Sequence, residues 1–307
     1  MTSTPTAEGI HHRAEELGAG LPPLLVAAER VAATVSQGVH GRRRVGQGET
    51  FWQFRRYQAG DSVQQVDWRQ SAKSDPVYIR ETEWEAAQSV WLWSDNTASM
   101  DFRSSPGLPS KRARASLLAL ALAALLIRGG EHVALSGAAR PPSAGRAMLL
   151  EMAAMLSTGT FGRPAGDLTE YGSAQQGMPP DNPMPRNSRI VLFSDFLDPT
   201  DSVRAGLDAI AAKGVHGHMV RIVDPAEESL PYSGRVLFED SEGGGEVLLD
   251  NVESIRREYA TEWRRHGEKL AALARASGCD YIVHHTDQPA EEALLQLYLH
   301  LSEQGGG

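Results

Sequence analysis

The sequence predicts an α/β protein built on a doubly wound, mostly parallel sheet of Rossmann-type topology, with a small β module on its N-terminal side. Three observations lead there. From residue 90 onward short apolar runs alternate with helix-patterned segments, the pattern of strands joined by crossover helices. Two of those runs, Val90-Trp91-Leu92-Trp93 and Ile190-Val191-Leu192-Phe193, are each followed by a serine and then a carboxylate, Asp95 and Asp195. Acids leaving the carboxyl end of a strand lie where open α/β sheets bind ligands. Upstream of residue 90 the pattern changes to aromatics alternating with charged residues, with Trp52, Trp68 and Trp84 spread through it. That alternation reads as antiparallel strands. The chain therefore divides into a tail and helix over 1–40, a β module over 41–89 and the α/β domain over 90–307.

The elements follow in order. Residues 1–20 are polar and Gly-rich and read as a mobile end, and Leu21–Val35 carries apolar residues at helical spacing. Gly41-Arg42-Arg43-Arg44 is an anion patch or a solvated loop; no wider basic field surrounds it, which favours the loop. Thr50–Tyr57 and Val77–Ala86 form the antiparallel pair, with a turn at Gly60-Asp61. Between them lies Asp67-Trp68-Arg69. Aromatics bury large areas, so Trp68 is expected in a core that anchors the module on the first strand of the α/β domain. Asp61 and Asp67 are expected to pair with Arg56 and Arg69; the alternative is a catalytic carboxylate pair, which the nearby guanidinium groups disfavour.

Lys111–Arg128 is rich in Ala and Leu, is apolar nearly all round, and is stopped by Gly129-Gly130. It reads as a buried helix. Glu131–Gly137 is the next strand and Arg146–Leu156 the next helix, followed by a long loop rich in Gly and Pro over 157–188. Val203–Ala212 reads as a helix, His218–Val223 as a third apolar strand, and Asp224-Pro225 as a turn. Val236–Phe238 and Val247–Leu249 flank Gly243-Gly244-Gly245 as a hairpin. Val252–Ser277 is a long amphipathic helix, Tyr281–His284 the last strand and Ala290–Leu301 the last helix. His284 and His285 face opposite sides of that strand, which argues against a shared metal. Cys279 reads as a small core residue.

At 41% hydrophobic and 22% charged over 307 residues, the composition is that of a globular protein with a large core. A net charge of −9 argues against general affinity for nucleic acid or membrane surfaces. A single cysteine excludes an internal disulfide and fits a reducing compartment. The N-terminus lacks a basic-then-apolar signal pattern. The longest apolar run, Leu117–Ile127, is shorter than the roughly 20 residues a membrane span needs. A cytoplasmic protein without a membrane span is the expectation.

Asp95, Thr97 and Ser99 place one carboxylate and two hydroxyls on a single turn, a set of hard oxygen donors suited to Mg²⁺ or a similar cation. Asp95-x-Thr97-x-Ser99 resembles the Asp-x-Ser/Thr-x-Ser motif of von Willebrand factor A-type domains, where it forms a metal-ion-dependent adhesion site. An ordered series precedes it: Gly46-Gln47-Gly48-Glu49, Arg56-Tyr57-x-x-Gly60-Asp61, Val66-Asp67-Trp68-Arg69 and Tyr78-Ile79-Arg80-Glu81. Together with the segment at 190–198, that series resembles the bacterial domain-of-unknown-function 58 (DUF58) family, whose members carry an A-type-like domain. The resemblance implies Mg²⁺ (or Mn²⁺ or Ca²⁺) on Asp95, Thr97, Ser99 and Asp195. It also implies a further Thr ligand, with Thr158, Thr160 and Thr169 as candidates. Asp198 is either another ligand or the cap of the helix that follows. Family resemblance further implies a MoxR-type AAA+ ATPase as partner and an adaptor or co-chaperone role. Some family members carry membrane helices, and here the chain departs from the pattern.

Three functions compete. In the first, a non-enzymatic binding module, an acidic side chain of a partner completes the shell of the bound cation. In the second, the same fold interacts without metal. The third is Mg²⁺-dependent phosphoryl transfer from a strand-end Asp, as in haloacid-dehalogenase-like phosphatases. That chemistry needs a second Asp two residues on, where Thr97 stands, and no Gly-rich phosphate loop with a Lys is present. The expectation is a protein that is not an enzyme.

Overall fold

The computed structural model describes residues 23–39, 51–57, 66–73, 76–82, 89–138, 140–158, 177–241 and 243–303. In chain order the elements are α1 (Pro23–Val39), β1 (Phe51–Arg56), α2 (Trp68–Ser71), β2 (Tyr78–Thr82), β3 (Ser89–Ser94), α3 (Lys111–Arg128), β4 (His132–Leu135), α4 (Arg146–Thr158) and β5 (Arg189–Ser194). They continue with α5 (Thr200–Ala212), β6 (His216–Val223), α6 (Pro225–Ser229), β7 (Val236–Glu239), β8 (Glu246–Leu249), α7 (Val252–Ala276), β9 (Asp280–His285) and α8 (Ala290–Glu303). The expected positions outside the described residues are the N-terminal end, Arg42–Arg44, Gly60-Asp61, Trp84, Thr160 and Thr169.

Five strands form one all-parallel sheet in the order β4-β3-β5-β6-β9. Its central strands carry the continuous apolar runs that parallel sheets require, because both faces are covered. Alternation along each strand divides the side chains between two layers. Val90, Leu92, Val191, Phe193, Val220 and Ile222 face α1, α3, α4 and α8. Trp91, Trp93, Ile190, Leu192 and Met219 face α5 and α7.

Helix α3 sits at the centre of the first layer. Ser110 caps it by accepting from the Ala113 N–H at 3.2 Å, and its run of Ala and Leu is buried on nearly every side. Small Ala side chains let a second helix approach closely. That helix is α1, which buries Leu25, Ala28, Val31, Ala32 and Val35 in the same core. The N-terminal helix is thus an outer layer of the α/β domain.

β1 and β2 pair antiparallel, as the alternation upstream of residue 90 predicts. Trp68 corrects an expectation. It opens the single turn of α2 and is 64% exposed, so it belongs to no core. Among the described residues the buried tryptophans, Trp91 and Trp93, belong to β3 itself. The β7–β8 hairpin forms with Val236 opposite Leu249. Cys279 is a core residue, its thiol pushed up to about 11 by burial. It packs where β6 approaches most closely, since a Cβ on Gly217 would lie 2.6 Å from its Sγ.

His284 is buried with its pKa lowered to about 4 by burial and by the charge of Arg114. His218 is also lowered to about 4, by burial first, although its Nδ1 lies 2.8 Å from Asp280 Oδ2. A base depressed in the folded state contributes stability above its ordinary pKa of 6.5 and loses it as the pH falls through the folded value. Thermal unfolding is therefore expected to move to lower temperature between pH 6.5 and about 4, and to do so less steeply in a His218→Gln/His284→Gln double variant. An equally steep fall in the variant would contradict the assignment. Trp68→Ala is expected to change stability by no more than roughly 0.5 kcal/mol, as surface substitutions do; a larger loss in urea unfolding would place that ring in a core.

Candidate functional site

The strand order reverses between β3 and β5: the chain leaves β3 towards β4 and enters β5 on the opposite side. At such a switch point the connecting loops diverge, and ligands of open α/β sheets bind beside it. Asp95 and Asp195 leave the carboxyl ends of these two neighbouring strands, on the same rim, and the Asp95 N–H donates to the Phe193 carbonyl at 2.8 Å. The structure thus brings together the two acids predicted from separate parts of the chain.

The loop after β3 folds around Asp95. Its Oδ1 accepts the Thr97 N–H at 2.8 Å and its Oδ2 accepts the Ser194 hydroxyl at 2.6 Å. The Thr97 and Ser99 hydroxyls lie 3.0 Å apart and bond each other. Arg112, in the first turn of α3, clasps the loop from outside. It donates to Asn96 Oδ1 at 2.8 Å, to the Thr97 carbonyl at 3.0 Å, and through Nε and Nη2 to the two oxygens of the Asp101 carboxylate. Burial pushes the Asp95 carboxyl up to about 6; the Ser194 and Thr97 bonds oppose the shift and the charge of Asp195 adds to it. An acid raised in the folded state contributes stability below its ordinary pKa of 3.8 and loses it as the pH rises through about 6, opposite to the two histidines.

Asp195 has a partner of a different kind. Its Oδ2 accepts from the Lys111 ammonium at 2.7 Å, and that ammonium also bonds Glu227 Oε1 at 2.5 Å. The Lys111 side chain is 0% exposed. Burial works against its charge, but the carboxylates of Asp195 and Glu227 outweigh burial and hold its pKa above the ordinary value. Glu227 is raised by burial, with Lys111 opposing. Glu227 is fixed in turn by the capping box of α6: its Oε2 accepts the Asp224 N–H at 2.9 Å, and Asp224 Oδ1 accepts the Ala226 N–H at 2.9 Å. Lys111 therefore ties the start of α3 to the ends of β5 and β6.

The loop after β5 is strained. Phe196 is buried with φ 51°, a backbone region that bulky residues rarely adopt. Its N–H donates to Ser194 Oγ at 2.9 Å, and its carbonyl lies 2.8 Å from His266 Nε2. The Asp195 carbonyl accepts from Arg221 Nε at 3.2 Å, while the guanidinium of Arg221 stacks on Trp263. Asp198 corrects an expectation: Pro199 occupies the cap of α5 and no side chain caps that helix. The Asp198 carboxylate instead takes the Gly177 backbone N–H, so close that a Cβ on Gly177 would lie 1.6 Å from Oδ2. Thr158 ends α4 and donates its hydroxyl to the Ala154 and Met155 carbonyls of its own helix.

The donor set can be tested against the divalent ion that the resemblance implies. Asp95, Thr97 and Ser99 are gathered at one rim as that reading requires. Asp195 is engaged by a buried ammonium at 2.7 Å, and a divalent ion on the same carboxylate would bring like charges together where water does not screen them. With Lys111 in place, the residues present do not fit a divalent ion shared by Asp95 and Asp195.

The sequence reading missed Lys111, Glu227 and Arg112. Glu227 was within reach, because Asp224-Pro225-x-Glu227 follows a third apolar strand and repeats the logic of the first two. Lys111 and Arg112 look like ordinary solvated charges at a helix start, and nothing local marks one of them as buried.

Fold and rim together define a doubly wound α/β protein, consistent with a Rossmann or von Willebrand factor A-like layout, with an Asp-x-Thr-x-Ser loop at its switch point. The model of the family described as protein of unknown function DUF58 matches residues 53–269, and the chain belongs to that family. Similar proteins include uncharacterised proteins of Mycobacterium tuberculosis and Mycobacterium bovis, 28% identical over 284 residues, covering 89% of this chain and 86% of theirs. Among solved structures, the conserved hypothetical protein BatB of Bacteroides thetaiotaomicron matches with TM-score 0.39 and 16% identity. An aerotolerance-related membrane protein of Bacteroides fragilis, carrying multiple mutations to serines, matches with TM-score 0.40 and 15% identity. Each match covers 71% of this chain and the whole of the other; neither bears on function.

Lys111→Met would leave Asp195 and Glu227 buried without their counter-ion. Breaking a buried pair on one side costs roughly 3–5 kcal/mol, and urea unfolding is expected to show a loss of that order. An unchanged midpoint would mean that the ammonium does not hold the rim together.

Proposed function

We propose that this protein is a non-enzymatic protein-binding module whose docking surface is the carboxyl rim around the Asp95–Ser99 loop. The observation that carries the reading is the internal pairing of both rim acids. Asp95 spends its two oxygens on Ser194 and Thr97, and Asp195 is bonded to Lys111. These bonds hold the two loops in place, and the Thr97 and Ser99 hydroxyls face each other. What the rim offers is a fixed surface. Phe102 and Leu197, on the loops leaving β3 and β5, are 37% and 43% exposed beside the polar loop. Apolar side chains around a polar centre are what protein interfaces use.

The partner that family resemblance implies is a MoxR-type AAA+ ATPase, for which this chain would act as adaptor or co-chaperone in the cytoplasm. Among the described residues no helix is long and apolar enough to cross a membrane. A second reading keeps a divalent ion on Asp95, Thr97, Ser99 and Asp195, completed by an acid of the partner. It is favoured by the two hydroxyls gathered 3.0 Å apart beside Asp95.

Immobilised full-length protein is expected to retain a purified MoxR-type ATPase equally with and without a chelator. Leu197→Asp is expected to abolish retention with an unchanged melting temperature. Loss of retention on chelation, repeated by Asp95→Ala, would move the weight to the second reading; no retention at all would remove the ATPase as partner. Turnover of a generic phosphate ester with Mg²⁺ is expected to be absent, and turnover lost in Asp95→Ala would make the protein an enzyme.

A further inference from the structure

The charge that balances this rim is already part of the chain. Lys111 starts the helix that follows the Asp95–Ser99 loop, and its side chain runs inward to Asp195 Oδ2 at 2.7 Å and Glu227 Oε1 at 2.5 Å. Two physical terms oppose that placement. A cation in the first turn of a helix meets the positive end of the helix dipole, and burial removes the water that would solvate it. The two carboxylates supply the main compensation, with the Phe102 ring 5.9 Å from Nζ adding a weaker cation–π contact, so the arrangement exists because the carboxylates converge there. A metal ion coordinated by Asp195 would stand roughly 2.0–2.6 Å from a carboxylate oxygen; Oδ2 already holds the ammonium and Oδ1 accepts the Leu197 N–H at 3.1 Å, so the ion would share one carboxylate with a buried cation.

We infer that Lys111 is the built-in cation of the rim: bonded to Asp195 and Glu227, it holds the place beside Asp195 that a divalent ion would take in an adhesion-type site, and the rim assembles without metal. The inference does not depend on which partner binds there. It has a converse consequence. Without the ammonium, Asp195 Oδ2 and Glu227 Oε1 would both face one point, at the 2.7 and 2.5 Å now spanned by Nζ. The Glu227 length lies inside the roughly 2.3–2.6 Å range of Ca²⁺–oxygen contacts and the Asp195 length just outside it. Removing the lysine should convert an internally paired rim into one that takes a divalent ion.

The test compares full-length wild type, Lys111→Ala and Lys111→Ala/Asp195→Asn in thermal melts with EDTA, CaCl₂ or MnCl₂. Wild type is expected to melt at the same temperature in all three. Lys111→Ala is expected to melt lower and to recover by about 5 °C or more with either metal, a shift of the size that saturating binding gives. The double variant is expected not to recover. Should Lys111→Ala fail to fold even with metal, calorimetric titration of wild type with Mn²⁺ decides: no saturable binding supports the inference, and saturable binding that is lost in Asp95→Ala overturns it. A Lys111→Ala protein as stable as wild type and indifferent to both metals would also overturn it. Failure to retain an ATPase would leave these outcomes untouched and count only against the proposed partner.

Discussion

A single buried ammonium organises this rim. Lys111 lies between Asp195, which leaves the central strand β5, and Glu227, which opens α6 just after β6. Each of the three groups would be costly alone, because a buried charge without a partner carries its full desolvation penalty. Held together they fix the start of α3 against two strand ends. Next to Lys111 in sequence, Arg112 extends to the other side and clasps the Asp95–Asp101 loop. One helical turn therefore sets both halves of the rim, the internal half through Lys111 and the outer loop through Arg112.

The doubly wound topology explains why these residues meet. The sheet order reverses between β3 and β5, so two strand ends that are far apart in sequence become neighbours with no strand between them. Asp95 and Asp195 then come close enough for the charge of one to raise the pKa of the other. The backbone turn at Phe196 and the hydrogen bonds from Ser194 keep the second loop from relaxing away.

Much of the architecture was legible because burial writes itself into strand and helix patterns. Val90–Trp93 and Ile190–Phe193 read as central strands because parallel sheets covered on both faces need unbroken apolar runs. The Ala- and Leu-rich Lys111–Arg128 read as a buried helix for the same reason. That Asp95 and Asp195 leave the same rim followed from strand direction, and that they meet there was implied by the family resemblance. What stayed hidden depends on contacts across the fold. Trp68 has the composition of an anchor and ends up 64% exposed, because an aromatic side chain declares only that it can be buried. Asp198 has the residue type of a helix cap but is drawn to the Gly177 backbone, 21 positions away in sequence. Lys111 is the extreme case: a charged residue at a helix start is ordinarily solvated, and only the arrival of two carboxylates from other strands makes its burial tolerable.

Family membership and fold leave the central question one of charge: whether this rim is closed by a lysine or by a metal. The most direct measurement is a crystal structure of the full-length protein grown with Mn²⁺ and recorded with anomalous scattering. The account predicts Lys111 Nζ in density between Asp195 and Glu227, with no anomalous peak beside Asp95. A strong peak bridging Asp95 and Asp195, with the lysine side chain displaced from them, would contradict it.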